Sequence, residues 1–257
     1  MGWTKIGVAQ GFDSGSVTTV ASNQNSGQTL NVAVGDLLFV AVGYFVVGSP
    51  TVVSIVDSVG NTFILIDTAT GTDGGSGDPY TVEIYRCVVT TAIANDVVTL
   101  TLSSAQIQKG IVVHQFRADT TFVLDQHDIK VDSIGAGSIT TDAFTTTKPS
   151  SVIFFAAHRS WGESAGFYNV GDIGGTPATF DANGVTDTWG LAVEYRIVTT
   201  IQSGITAAMS ADVSGTWQSA FASFGEEEAP PAANLWLPQG SGIVRGTDRI
   251  LSSGMEN

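Results

Sequence analysis

Asp36-Leu37-Leu38-Phe39-Val40-Ala41-Val42 decides the fold, and it comes back as Ser151-Val152-Ile153-Phe154-Phe155-Ala156-Ala157. Neither stretch shows the polar–apolar alternation of a strand with one wet face. Both are short and rich in β-branched and aromatic side chains, as for strands covered on both faces. Other segments recur around them in the same order. Gly15-Ser16-Val17-Thr18-Thr19 returns as Gly137-Ser138-Ile139-Thr140-Thr141. Val82-Glu83-Ile84-Tyr85-Arg86 returns as Val193-Glu194-Tyr195-Arg196, and Gly110–Phe116 as Thr216–Phe224. The offset shrinks from 122 (Gly15 to Gly137) through 115 (Asp36 to Ser151) and 110 (Tyr85 to Tyr195) to 108 (Phe116 to Phe224). A steady drift of this kind is a duplication with loops shortened in the second copy.

The rest of each half carries strand signals. Val98, Leu100 and Leu102 alternate with Thr99 and Thr101, a half-buried strand. Asp57-Ser58-Val59-Gly60-Asn61 is a turn between apolar runs. Ser203–Ala211 aligns with Asp96–Leu102 and reads as strand. The fold class is therefore all-β: two tandem jelly-roll or Ig-like sandwich repeats, closely packed, residues 1–118 and 119–225, then an extended arm at 226–257. Phe122-Val123-Leu124 and Ile129–Val131 lie between the copies and are apolar enough to pack, so the repeats share some core.

The chain has 257 residues, 43% of them hydrophobic and 13% charged, with a formal charge of −14. An acidic surface repels phosphate backbones and anionic membranes, so neither nucleic acid nor membrane is an expected partner. Cys87 is the single cysteine and sits in an apolar run, as a small core residue does. Met1-Gly2-Trp3-Thr4-Lys5 lacks the basic and apolar regions of a signal peptide, so synthesis in a cytoplasm is expected.

Candidate chemistry is thin. Gly162-Glu163-Ser164-Ala165-Gly166 matches the G-x-S-x-G nucleophile elbow, but no His follows Ser164 and Phe167-Tyr168-Asn169-Val170-Gly171 is no helix pattern. His114, His127 and His158 lack metal-ligand spacing, so no metal or other cofactor is expected. Asp73-Gly74-Gly75-Ser76-Gly77-Asp78 reads as a solvated loop rather than a calcium loop. Glu83 with Arg86, and Glu194 with Arg196, read as structural ion pairs or solvent-facing pairs. No catalytic residue is assigned. Trp161, Phe167, Tyr168 and Trp189 cluster in second-copy loops and suit stacking on sugar rings.

Composition breaks after Gly225. Glu226-Glu227-Glu228-Ala229-Pro230-Pro231 is a charged, Pro-rich connector. Beyond it Leu235, Trp236, Leu237, Ile243, Val244, Ile250 and Leu251 need burial in a tail too short for its own core. They are the candidate partner-binding residues, with Trp236 as anchor.

The progression Gly35-Asp36-Leu37-Leu38-Phe39-Val40-Ala41-Val42, Val53-Ser54-Ile55-Val56-Asp57-Ser58-Val59-Gly60-Asn61-Thr62-Phe63, Tyr85-Arg86 and Val112–Phe116 resembles a loose group of phage-encoded β-sandwich virion proteins over about residues 28–225. The resemblance implies a capsid decoration or cement protein located in the virion. Its partners would be the major capsid protein or tail components and further copies of itself. The alternative is a tail, fibre or host-glycan-binding module.

Overall fold

A computed structural model describes residues 2–24, 26–46, 48–72, 79–131, 136–160, 168–176, 179–182 and 190–227. Among these residues the chain is all-β, built of antiparallel sheets packed together.

The first half supplies a five-stranded sheet in the order β1 (Trp3–Asp13), β10 (Lys109–Ala118), β4 (Leu37–Phe45), β7 (Pro79–Val88), β6 (Ile64–Thr72). A smaller sheet of β2 (Val17–Ala21), β9 (Thr99–Gln106) and β5 (Val52–Val56), with the pair β3 (Leu30–Val32) and β8 (Ile93–Asp96), covers its outer face. The second half repeats this plan. Its large sheet runs β11 (Phe122–Val131), β17 (Ala207–Glu226), β13 (Ser151–Ser160), β16 (Gly190–Val198), β15 (Thr179–Ala182). β12 (Ala136–Thr140) and β14 (Tyr168–Ile173) pair with the first residues of β17 as β2 and β5 pair with β9. The bridge between Phe144 and Ile205 stands where β3 meets β8.

The two large sheets pack on each other, giving four layers and three cores. Strand alternation sorts the residues. Leu37, Phe39 and Ala41 of β4 face the central layer, while Leu38, Val40 and Val42 face the first half's inner core. Val152, Phe154 and Ala156 of β13 also face the central layer, while Ile153, Phe155 and Ala157 face the second inner core. Continuous apolar runs are what strands covered on both faces require.

Register fixes which residues correspond. Leu37 pairs with Phe116 and Val88; Val152 pairs with Phe224 and Ile197. Phe116 thus corresponds to Phe224, and Phe39 to Phe154. Tyr85 does not correspond to Tyr195. Val40 faces Tyr85 whereas Phe155 faces Glu194, so Tyr195 matches Arg86. Tyr85 accordingly lies in the first inner core and Tyr195 in the central layer. The repeated Thr-Thr motif also slips. The Ser22 hydroxyl accepts the Val98 N–H as the Thr141 hydroxyl accepts that of Ala207, which aligns Val20, not Val17, with Ile139.

Corresponding residues meet across the central layer. Trp3 and Phe122 occupy matching ends of β1 and β11, and their ring centroids lie 5.0 Å apart. Phe39 contacts Phe224 at 6.0 Å and Phe154 contacts Phe116 at 6.4 Å, a reciprocal pair. This is the signature of an isologous, two-fold contact, here within one chain.

Two further readings change. Ser203–Ala211 and Thr216–Phe224 are not separate strands; β17 begins at Ala207, runs unbroken for 20 residues and passes from outer to central sheet. It also continues through Glu226, whose N–H donates to the Ser150 carbonyl, while the Glu227 N–H donates to that of Thr121. The body thus includes the first acidic residues after Gly225, and a separate unit of 228–257 follows it.

Candidate functional site

The turns at one end of the sheets, where β4 and β13 begin, hold the sequence's most distinctive motifs. Asp36 is fully buried there. Its carboxylate accepts the Ala33 N–H, the Gln115 amide at 2.6 Å and the Arg117 guanidinium at 2.6 and 2.9 Å. Burial pushes this carboxyl up, but Arg117 and the other donors outweigh it and hold it below the ordinary value.

Asp57-Ser58-Val59-Gly60-Asn61 is a second lock. Asp57 Oδ1 accepts the N–H groups of Val59, Gly60 and Asn61. Gly60 has φ of 80°, a left-handed conformation that favours Gly. Asn61 ties this turn to the one after β7: its Nδ2 donates to Asp57 Oδ2 and the Thr91 carbonyl, and its Oδ1 accepts from Thr90 and Thr91. Asn61→Ala leaves these buried groups unpaired and is expected to cost about 2–4 kcal/mol, read by urea unfolding. The motifs behind the resemblance therefore do structural tasks.

The acid–base pairs read from sequence are not ion pairs. The Tyr44 hydroxyl donates to Glu83 at 2.8 Å, and Tyr85 donates to the same carboxylate. Burial and the Glu83 charge push both phenols upward. Arg86 projects from the opposite face of β7. Glu194 is fully buried, and its Oε2 accepts the Gly171 N–H at 3.0 Å. Among the described residues its Oε1 has no hydrogen-bond partner. Burial drives this carboxyl up to about 8, Gly171 opposes, and Asp172 adds to the rise. Arg196 instead donates to the Ile173 carbonyl.

Asp96, also buried, is raised to about 6 by burial and by Asp57, against the Val97 N–H. Cys87 is fully buried, and burial holds its thiol at about 12, with Asp57 and Asp96 adding to the rise. A thiol in that state is an inert core group.

The histidines are dispersed among strands. His114 and His158 are buried between the two large sheets, and His127 pairs with Asp67 at 2.7 Å. Among the described residues no three His, Cys, Asp or Glu side chains gather as a metal site.

Trp161, Phe167, Trp189, Ser164 and the loop 73–78 lie outside the described residues, as do Leu235, Trp236, Leu237, Ile243, Val244, Ile250 and Leu251. Tyr168 is placed only by its backbone, opposite Ala211 at the start of β14.

What the body does offer is a surface at the end that holds the two locks. Val34, Val59, Ile64 and Val88 of the first half are exposed there, at 67, 38, 50 and 44%, as is Ile201 of the second at 54%. Residues 226 and 227 reach the same end, beside Ser150 and Thr121. Sequence reading missed this surface because these residues alternate with core positions and look alike in the primary structure. No family model matches the chain, and no curated protein or solved structure shows significant similarity to it.

Proposed function

We propose that the chain is a structural protein of a bacteriophage virion, a capsid decoration or cement protein that attaches by its C-terminal arm. The observation that supports this most is at the end where the body finishes. Glu226 and Glu227 are tied into the sheet by backbone bonds, and the Asp119 N–H donates to Glu226 Oε1 at 2.8 Å. The apolar segments of the arm follow a Pro-rich connector directly after this fixed point. Exposed valines and isoleucines surround the same end. A body that holds Glu226 and Glu227 in its sheets suits attachment to a lattice through the residues that follow, in which Trp236 fills a pocket of the major capsid protein or a tail component. The motifs resembling phage β-sandwiches point the same way.

Truncation after Glu227 tests the reading. The body is expected to fold with a melting temperature within a few degrees of the full chain, while incorporation into particles fails. Normal incorporation would overturn the anchoring role. Strong, specific signal on a glycan array, lost with Trp161→Ala and Trp189→Ala, would favour a host-binding module instead.

A further inference from the structure

The registers that match the two halves also show where their inner cores differ. Val42 pairs with Glu83 on one side and Ile111 on the other; Ala157 pairs with Ala192 and Ser219. On the covering sheets Val98 matches Ala207, so Leu102 matches Ala211. The second half thus has Ala157, Ser219 and Ala211 where the first has Val42, Ile111 and Leu102, and Ala192 where it has Glu83. All eight residues are buried. The larger replacements lie in the neighbouring rows: Phe155 for Val40 and Phe221 for Val113 on one side, Trp217 for Lys109 on the other. A strip of small side chains therefore runs between rows that carry large rings. Ala211, at 8% exposure, is the member of the strip that solvent reaches.

Small side chains alone would only let the layers close up. Here two polar groups face the same space. Ser219 Oγ and Glu194 Oε1 are fully buried and, among the described residues, have no hydrogen-bond partner. Glu194 is two residues from Ala192 on the same face of β16. Its Oε2 reaches the Gly171 N–H of the covering sheet, at a bulge between Asn169 and Asp172 of β14. In the first half the matching groups satisfy one another, since Tyr44 and Tyr85 both donate to Glu83. Arg159, Glu194 and Ala192 at those positions break the set. Arg159 and Trp217, one row on, have interactions of their own. A buried hydroxyl and carboxyl are costly until something supplies their hydrogen bonds. Burial holds the Glu194 carboxyl at about 8, so at pH 7 it is neutral, and both groups can donate or accept. A neutral hydroxyl, itself donor and acceptor, matches either.

We propose that the second half's inner core is a binding site for a small neutral diol or polyol, whose hydroxyls partner Glu194 Oε1 and Ser219 Oγ while its carbon chain lies against Ala157, Ala192 and Ala211. The inference is independent of the virion reading. The ligand's bulk is set by the side-chain atoms that Val42, Ile111 and Leu102 have and Ala157, Ser219 and Ala211 lack. The first half, with its larger aliphatic side chains and its closed Glu83 network, has no equivalent site.

The test titrates the full, isotope-labelled chain at pH 7 with 1,4-butanediol and follows backbone amide resonances. Saturable shifts are expected at Gly171, Glu194 and Ser219, and none at the first-half counterparts Tyr85 and Ile111. At ten times its Kd the diol should shift the folding equilibrium by about elevenfold, seen as a raised melting temperature. Butan-1-ol, which lacks one hydroxyl, should bind about tenfold more weakly, and so should the diol to Ser219→Ala. Ala157→Val combined with Ser219→Ile restores the first-half side chains; it should fold with an undiminished melting temperature and no longer bind. Absence of saturable shifts, equal shifts in both halves, or equal affinity for the diol and the mono-alcohol would each overturn the proposal. So would unchanged affinity in Ser219→Ala. A double variant that fails to fold would show that the chain's own side chains already fill the space, and would overturn it too.

Discussion

Phe154→Ala is expected to lower the unfolding free energy by about 3–5 kcal/mol, measured by urea unfolding at pH 7. Phe154 is 1% exposed and central to the layer joining the halves. Its ring meets Phe39, Phe116 and His114 from the first half. Residues in two large sheets surround the vacated space, so it closes poorly. Phe39→Ala is expected to cost a similar amount, since Phe39 is the corresponding residue and is equally buried. The double variant should cost less than the two single losses combined, because both truncations open one shared cavity. Simple additivity would show that the two rings occupy independent sites.

Glu194→Gln is expected to raise stability at alkaline pH. The Glu194 carboxyl is held at about 8, above the ordinary value of 4.5, chiefly by burial. Between those values the unfolded chain has lost this proton while the folded chain keeps it. Stability therefore falls as pH rises from about 4.5 to 8. The amide cannot ionise, so the variant should gain on the order of 2–4 kcal/mol over the wild type at pH 8 and little at pH 4. Asp96 contributes in the same sense between 3.8 and about 6. The buried histidines act in the other direction, since their lowered values remove stability as pH falls below the ordinary His range. Wild-type stability should thus peak in mildly acidic solution. A stability difference between Glu194→Gln and wild type that stays flat from pH 4 to 8 would contradict the assignment.

The sequence disclosed the duplication because core strands carry it: Leu37–Val42 and Val152–Ala157 are apolar on both faces for the same reason. It misplaced Tyr85 against Tyr195, since identical letters one residue out of register lie on opposite faces of a strand. β11 escaped recognition as the counterpart of β1 in the second half, although Phe122 stands where Trp3 does. Both need only to fill the same space, which a Trp and a Phe do without sharing a motif. The unbroken β17 was hidden because Ser214-Gly215 reads as a turn in isolation. Asp36, Asp57 and Asn61 stood out in the sequence, yet the roles of Asp36 and Asn61 rest on partners 29 to 81 residues away, which spacing does not reveal.

Gly43 and His158 occupy corresponding positions, opposite Val82 and Leu191 on one side and Gly110 and Gln218 on the other. They also touch: a Cβ added at Gly43 would sit 2.9 Å from the His158 ring. In an association of two identical chains, a residue on the symmetry axis confronts its own copy. Any gain in size is then doubled, and a histidine faces a histidine. Joining the two halves in a single polypeptide lifts that restriction. One side gives up its side chain altogether and the other places an imidazole in the vacated volume. Chemistry that identical subunits exclude from their axis thereby becomes available between the two large sheets.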